Sequence, residues 1–305
     1  MPAQIITDGS LAGQIPDIPV FKPVTDEVFA ERAARLDLLA PGHSIEHYLQ
    51  FASELCALQA EAKNSLPTLE VPDPATLVHC RDHGLPPLSV DHHRRDYAWC
   101  EGLGYLTDRI DCDALPPEVA RAIQRLNDAP HADLEAAASN LLGGVYSEVD
   151  PSEAPFIAAA LQLYWVKMAL QLAEQAPLPA VSNGLCPVCG SHPVASVVRI
   201  GGARQGLRYL VCSLCASEWH LVRVKCSSCG STKGISYLGL DGGSEAVKAE
   251  CCDECKSYLK VFYLEKDTSL VPAADDLATL ALDMLVEQEG YNRIGPNLLL
   301  MPGAT

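Results

Sequence analysis

Basic residues are scarce in this chain. Its 22 lysines and arginines stand against 39 aspartates and glutamates, a formal net charge of −17 over 305 residues. A balance this negative favours solubility and repels phosphate backbones and anionic bilayers, so no nucleic-acid partner and no membrane insertion are expected. No stretch reads as the ~20 apolar residues that a membrane helix needs. Residues 1–21 lack the basic n-region and apolar core of an export signal, which makes the cytoplasm the expected compartment. There is also no nucleophile elbow, no glycine-rich phosphate loop and no supported pair of carboxylates. No active site can be argued from these residues.

What it has in quantity is cysteine, 13 in all. In a reducing compartment, spaced cysteine pairs point to metal or redox chemistry before structural disulfides. Cys56, Cys80, Cys100 and Cys112 stand alone and read as incidental small thiols. The remaining nine fall between residues 186 and 255.

The regions around that cluster differ in texture, and the fold class they indicate is α+β. Residues 1–24, with Pro2, Pro16, Pro19 and Pro23, read as a loose segment. Residues 25–180 read as an all-α domain. Ile45, Tyr48, Leu49, Ala52, Leu55 and Cys56 share one helical face, with Ser44 as the N-cap. Further helices are expected over Pro117–Leu126 and over Asp133–Val145, with Leu134, Ala138, Leu141 and Val145 inward. The strongest spans Ser152–Gln175, with a stripe of Ile157, Leu161, Tyr164, Trp165, Met168 and Leu172, and is stopped by Pro177 and Pro179. Residues 66–90 are proline-rich and read as irregular. Helices of this kind bury their own faces. His92-His93-Arg94-Arg95 reads as a solvated loop.

From Val181-Ser182-Asn183-Gly184 onward, β-prone runs (Ser196–Ile200, Leu207–Val211, Trp219–Val224, Tyr258–Leu264) lie between cysteine-rich turns. Two modules are expected there, residues 181–224 and 225–266. Residues 267–305 read as a helix carrying Leu277, Leu280, Ala281, Met284 and Leu285, followed by an extended tail.

The two modules are one unit repeated with an offset of 40. Cys186, Cys189, Cys212 and Cys215 map on Cys226, Cys229, Cys252 and Cys255; Gly190, Ser191 and Ser217 map on Gly230, Ser231 and Ser257. Each unit is C-x2-C-x22-C-x2-C. Two residues between cysteines let a tight turn aim both sulfurs at one point, and the glycine after the pair permits positive φ. Two such knuckles at the ends of a hairpin complete a tetrahedron around a metal. A unit of ~40 residues is too small to fold on core burial alone, so metal supplies folding energy. Cys251 maps on Val211 and reads as a bystander beside the ligand Cys252; His220 reads as strand packing. Four thiolates suit zinc and iron alike. Cys186-Pro187-Val188-Cys189-Gly190 has the look of a rubredoxin knuckle, which favours iron, though zinc ribbons share it.

These residues, with Arg208-Tyr209-Leu210-Val211-Cys212, Glu218-Trp219-His220-Leu221-Val222-Arg223, Cys252-Asp253-Glu254-Cys255 and Gly290-Tyr291-Asn292-Arg293, resemble the formate dehydrogenase accessory protein family (FdhE) over residues 25–300. The resemblance implies a cytoplasmic assembly factor with rubredoxin-like modules. It implies iron, two ions per chain, held by the eight cysteines. It also implies binding to the catalytic subunit of formate dehydrogenase, supporting its maturation before twin-arginine export. Two other readings stay open: a rubredoxin-type electron-transfer protein and a zinc-ribbon nucleic-acid binder. The second needs a basic face, for which the sequence offers only Arg199, Arg204, Arg208, Arg223 and Lys225 around the first unit.

Overall fold

The computed structural model describes residues 21–112, 115–173, 184–199 and 206–300. The first 20 residues of the expected loose segment, Pro177, Pro179, the boundary at Val181–Asn183, Arg204 and the last five residues of the tail lie outside them.

The first half is helical: α1 (Val28–Leu39), α2 (Glu46–Ser65), α3 (Pro74–His83), α4 (Ala98–Thr107), α5 (Pro117–Asp128), α6 (His131–Leu142) and α7 (Ala154–Ala173), with one 310 turn at Tyr146–Glu148. Three local expectations change. Helix α2 starts at Glu46, and Ser44 does not cap it. The Ile45 N–H instead donates to His43 Nδ1 at 3.2 Å, and the Gly42 N–H to Glu46 at 3.0 Å. The stretch over residues 66–90 contains α3. Its start is signalled by Asp73, which accepts from the Ala75 and Thr76 N–H groups at 2.8 and 3.0 Å, and by Pro74 at the first helical position. Gly84, at φ 64°, ends it. Helix α6 stops at Leu142, leaving Val145 outside and 45% exposed.

Helix α7 is the axis of the main core. Its expected stripe is buried, but so is almost every other side chain along it. By length and composition it would also pass as a membrane span, with a mean hydropathy of 1.4, which corrects the reading that no such stretch exists. The reason for its character is packing: 78% of that window is buried inside the protein, and a helix apolar all round belongs at a core centre.

The second half carries strands β2 (Pro193–Arg199), β3 (Leu207–Cys212), β4 (Glu218–His220), β5 (Ile235–Leu238), β6 (Val247–Cys252) and β7 (Ser257–Tyr263). Each repeat is a three-stranded antiparallel ribbon, β2-β3-β4 and then β5-β6-β7. The ribbons fuse where β2 and β7 pair in parallel, Ser196 opposite Val261 and Val197 opposite Phe262. Short strands β1 (Phe21–Lys22) and β8 (Asn292–Arg293) add to β4 and β7, giving the order β1-β4-β3-β2-β7-β6-β5 with β8 beside β7. The expected strand Trp219–Val224 is cut to β4. Val224 turns to φ 59°, and Val222 and Val224 are exposed. A fully buried ion pair joins the repeats: Arg208 of β3 and Glu250 of β6 lie 2.8 Å apart.

The C-terminal helical pattern is two helices, α8 (Pro272–Leu277) and α9 (Leu280–Gln288). The buried face of α9 is Leu282 and Val286, whereas Met284 and Leu285 are 63% and 50% exposed. What fixes these helices to the sheet is ionic. Lys260 of β7 lies 3.0 Å from Asp276 and 2.5 Å from Asp283, and Arg293 of β8 lies 2.6 Å from Asp276 and 2.9 Å from Asp283. Burial alone would raise the Asp276 pKa; the two cations and the Asn297 amide overcome it and hold it below the usual carboxylate range.

The helical half does not bury only its own faces. The main core runs from α7 through Leu88 and Leu103 into Val188, Leu210, Leu214 and Trp219 of the first ribbon.

Candidate metal centres

The first cysteine pair of each repeat sits on a tight turn whose backbone is fixed by the same two hydrogen bonds. In the first repeat, the Cys186 N–H donates to Ser191 O at 2.9 Å and the Gly190 N–H to Cys186 O at 2.8 Å. In the second, Cys226 and Gly230 repeat those bonds at 2.8 and 3.0 Å, the Cys226 N–H to Ser231 O. Gly190 and Gly230 take φ 79° and 75°, as their spacing required. The other two knuckles do the same without glycine: Ala216 and Lys256, each directly after its second cysteine, lie at φ 57° and 51°. Nothing in those two side chains announced it; only their equivalence under the repeat could have. Such strain persists where the surroundings dictate it and gathers at functional sites.

These turns bring the sulfurs together in sequential fashion. Cys186, Cys189, Cys212 and Cys215 form one group, and Cys226, Cys229, Cys252 and Cys255 the other; within each group all four sulfurs lie within 4.8 Å of one another. Close pairs are Cys186–Cys215 at 3.6 Å and Cys189–Cys212 at 3.4 Å, then Cys226–Cys255 and Cys229–Cys252, both at 3.7 Å. Metal–sulfur bonds of about 2.3 Å in a tetrahedron place the sulfurs about 3.8 Å apart. Two groups of four sulfurs, at this separation, fit two metal ions. The donor set alone admits iron or zinc.

Backbone donors surround the thiols. The Leu214 and Cys215 N–H groups point at Cys212 Sγ, both at 3.4 Å, and the Ser228 N–H at Cys226 Sγ at 3.3 Å. Ser217 and Ser257, related by the repeat, place hydroxyls 3.4 and 2.9 Å from the Cys215 and Cys255 sulfurs. Burial pushes the Cys186 and Cys212 thiols well above the ordinary range. Cys189 feels the same burial, yet hydrogen bonds from its three neighbours hold it well below that range. Burial likewise lifts Cys252 to about 12, while bonds from Ser257 and the other thiols bring Cys255 to about 7. Ionising all four thiols of a group requires a cation among them.

The two groups differ in setting. All four sulfur-bearing residues of the first are buried, whereas Cys229 of the second is exposed and Cys255 half-buried. The helical half encloses the first. Leu88 and Val90 donate their N–H groups to Val188 O and Cys189 O at 2.8 and 2.9 Å, and the Gln162 amide donates to Ser213 O at 2.8 Å. Gly184 packs against the Cys226–Cys229 knuckle so closely that a Cβ on it would meet Ser227 O at 1.9 Å.

Cys251 joins neither group. The pleat sends it to the opposite face from Cys252, into a core shared with Val211, the residue it replaces in the repeat. Cys56 and Cys100 are buried, Cys80 is half-buried and Cys112 exposed, all apart from the clusters. His220 packs edge-on against the Tyr209 ring, 5.8 Å between centroids. His93 is not simply solvated: Nε2 lies 3.3 Å from the Tyr164 hydroxyl, and Arg95 pairs with Glu135 at 2.8 Å.

Three family models match in order: "FdhE, N-terminal" over residues 18–181, "FdhE, central domain" over 185–223 and "FdhE, C-terminal domain" over 224–300. The chain belongs to the FdhE family. A protein FdhE homolog from Stutzerimonas stutzeri is 40% identical over 305 residues, covering 99% of each chain. One from Pseudomonas aeruginosa is 43% identical over 282 residues, covering 91% of each. The crystal structure of the FdhE protein from Pseudomonas aeruginosa superimposes with a TM-score of 0.84 at 40% identity, covering 94% of this chain and all of that one. The FdhE architecture is therefore the one described above: helices, then a sheet that holds two four-cysteine clusters.

Proposed function

We propose that this FdhE-family chain is an accessory protein for formate dehydrogenase that binds the catalytic subunit in the cytoplasm, supports its maturation before export, and catalyses nothing itself. The full-length family match carries this reading. In it the eight cysteines are the metal ligands, one ion per repeat. Iron is the favoured ion because Cys186-Pro187-Val188-Cys189-Gly190 is of rubredoxin type. Residues 25–180 would be the helical domain, 181–224 and 225–266 the two metal modules, and 267–305 the C-terminal segment.

Two closed four-thiolate shells support a non-catalytic role. Four protein sulfurs leave no coordination position for a substrate or an activated water. What such a centre supplies is cross-linking of its hairpin, so its chemistry is that of a structural or electron-carrying ion. The exposure of Cys229 is the one observation that favours electron transfer as a second reading, since it brings a sulfur to the surface.

The test is co-purification from cells that contain formate dehydrogenase. Tagged wild type is expected to bring down the catalytic subunit, and a Cys226→Ser/Cys229→Ser variant to bring down much less. Equal recovery removes the second ribbon from the binding role, and no recovery with wild type removes the partner.

A further inference from the structure

A buried charge next to the first cluster lacks an ordinary partner. Among the described residues, three cations have side chains buried: Arg32, Arg208 and Lys260. Two of them follow the usual rule, that buried charges are paired. Arg208 has Glu250 at 2.8 Å, and Lys260 has Asp276 at 3.0 Å. Arg32, on α1, is 2% exposed and its guanidinium lies 5.6 Å from the Phe29 ring centroid, but among the described residues it pairs with no carboxylate and its Nη1 has no hydrogen-bond partner. Its neighbour along the helix, Arg35, does pair, with Asp275 at 2.6 Å. An isolated guanidinium in a protein interior costs several kcal/mol unless an anion compensates it.

The anion is at hand. Arg32 lines the same cavity as Val211 and Ala216, which flank the second knuckle of the first repeat. Burial works against the Arg32 charge, and the nearby groups that can favour it are Cys56, Cys212, Glu31 and Cys215. Glu31 is exposed and screened by water. Burial raises the Cys56 thiol, to about 12, as it raises Cys212, but Cys56 stands outside both clusters, so no bound metal would ionise it. Cys212 and Cys215 remain. Four thiolates around a divalent ion sum to a net charge of −2, which is what a lone buried cation lacks.

We propose that Arg32 is the buried countercharge of the first four-cysteine centre, a positioning residue through which helix α1 stabilises the loaded metal site. The proposal rests on the reading of these cysteines as ligands. It explains why a metal centre without access to water tolerates its excess negative charge. The second centre needs no such device, because its Cys229 faces solvent. It also gives α1 a role that its sequence conceals, since arginine at a buried helix position looks like a patterning error.

The experiment uses cobalt(II) in the full chain carrying Cys226→Ser and Cys229→Ser, so that the first centre alone reports through its thiolate-to-cobalt absorption. Release into excess EDTA is timed for this parent and for Arg32→Met, Arg32→Gln and Arg32→Lys. Loss of a group that supports a metal's ligands typically costs 10–100-fold, so the two neutral variants should release cobalt about tenfold faster or more. Arg32→Lys should stay near the parent. Leu36→Ala, a buried change on the same helix, controls for loosening of α1. Neutral variants as slow as the parent overturn the proposal. So does Arg32→Lys as fast as Arg32→Met, or Leu36→Ala as fast as either, because the effect is then structural. A parent that shows no cobalt–thiolate absorption refutes the ligand assignment itself.

Discussion

Replacing Glu250 with leucine should separate the two ribbons energetically. Arg208 is 1% exposed and Glu250 5%, so neither can recover its hydration when the other is lost. Among the described residues Arg208 would keep its bond to Lys225 O at 3.0 Å, and Tyr237 would lose the acceptor that Glu250 gives its hydroxyl at 2.8 Å. Removing one partner of a buried pair costs about 3–5 kcal/mol, mostly because the other charge is left uncompensated. With a urea slope of about 3 kcal/mol/M, the midpoint falls by roughly 1–1.7 M. The double variant Arg208→Met/Glu250→Leu removes both charges and should recover most of the loss, because an apolar pair of similar volume is often neutral or better. The assay is urea unfolding of the metal-loaded chain followed by far-UV circular dichroism. If Glu250→Leu shifts the midpoint by less than about 0.3 M, or the double variant is as unstable as the single changes added together, the pair is not what joins the repeats.

Two further outcomes follow from the same geometry. Cys251→Ser should leave metal content unchanged and Cys252→Ser should lower it, measured by elemental analysis of purified protein, because the pleat puts only Cys252 among the sulfurs. Asp276, whose folded pKa is held down, lends stability that is fully present above the ordinary carboxylate range and is lost as pH falls through its folded value. Asp276→Asn should therefore lower the thermal midpoint at neutral pH, and the gap to wild type should narrow on acidification below about pH 4.

The two four-cysteine clusters are legible in the sequence because spacing fixes them. The offset of 40 paired every cysteine with its counterpart, set Cys251 aside and placed β6 over β3 residue for residue. Strand positions were also readable, with ends off by a few residues. Fusion of the ribbons was not. The β2–β7 pairing is parallel and long-range, and no local pattern encodes it. Nor was the union of the first cluster with the helical core, since Val188 and Leu214 look the same in a free ribbon as in a buried one. Helix α3 lies inside the proline-rich stretch 66–90 that reads as irregular, although Asp73 before it and Gly84 after it are the signals of a start and a stop. In the C-terminal pattern, Met284 and Leu285 are apolar yet exposed, so apolar character there does not mark the buried face of α9.

The central claim, that each repeat holds its own metal through four sulfurs, is tested most directly by counting ions. Elemental analysis of anaerobically purified full-length protein should give two per chain. It should fall to one in Cys186→Ser/Cys189→Ser, to one in Cys226→Ser/Cys229→Ser, and to none when both pairs are changed. One ion per wild-type chain, or loss of the same ion from both paired variants, would contradict it.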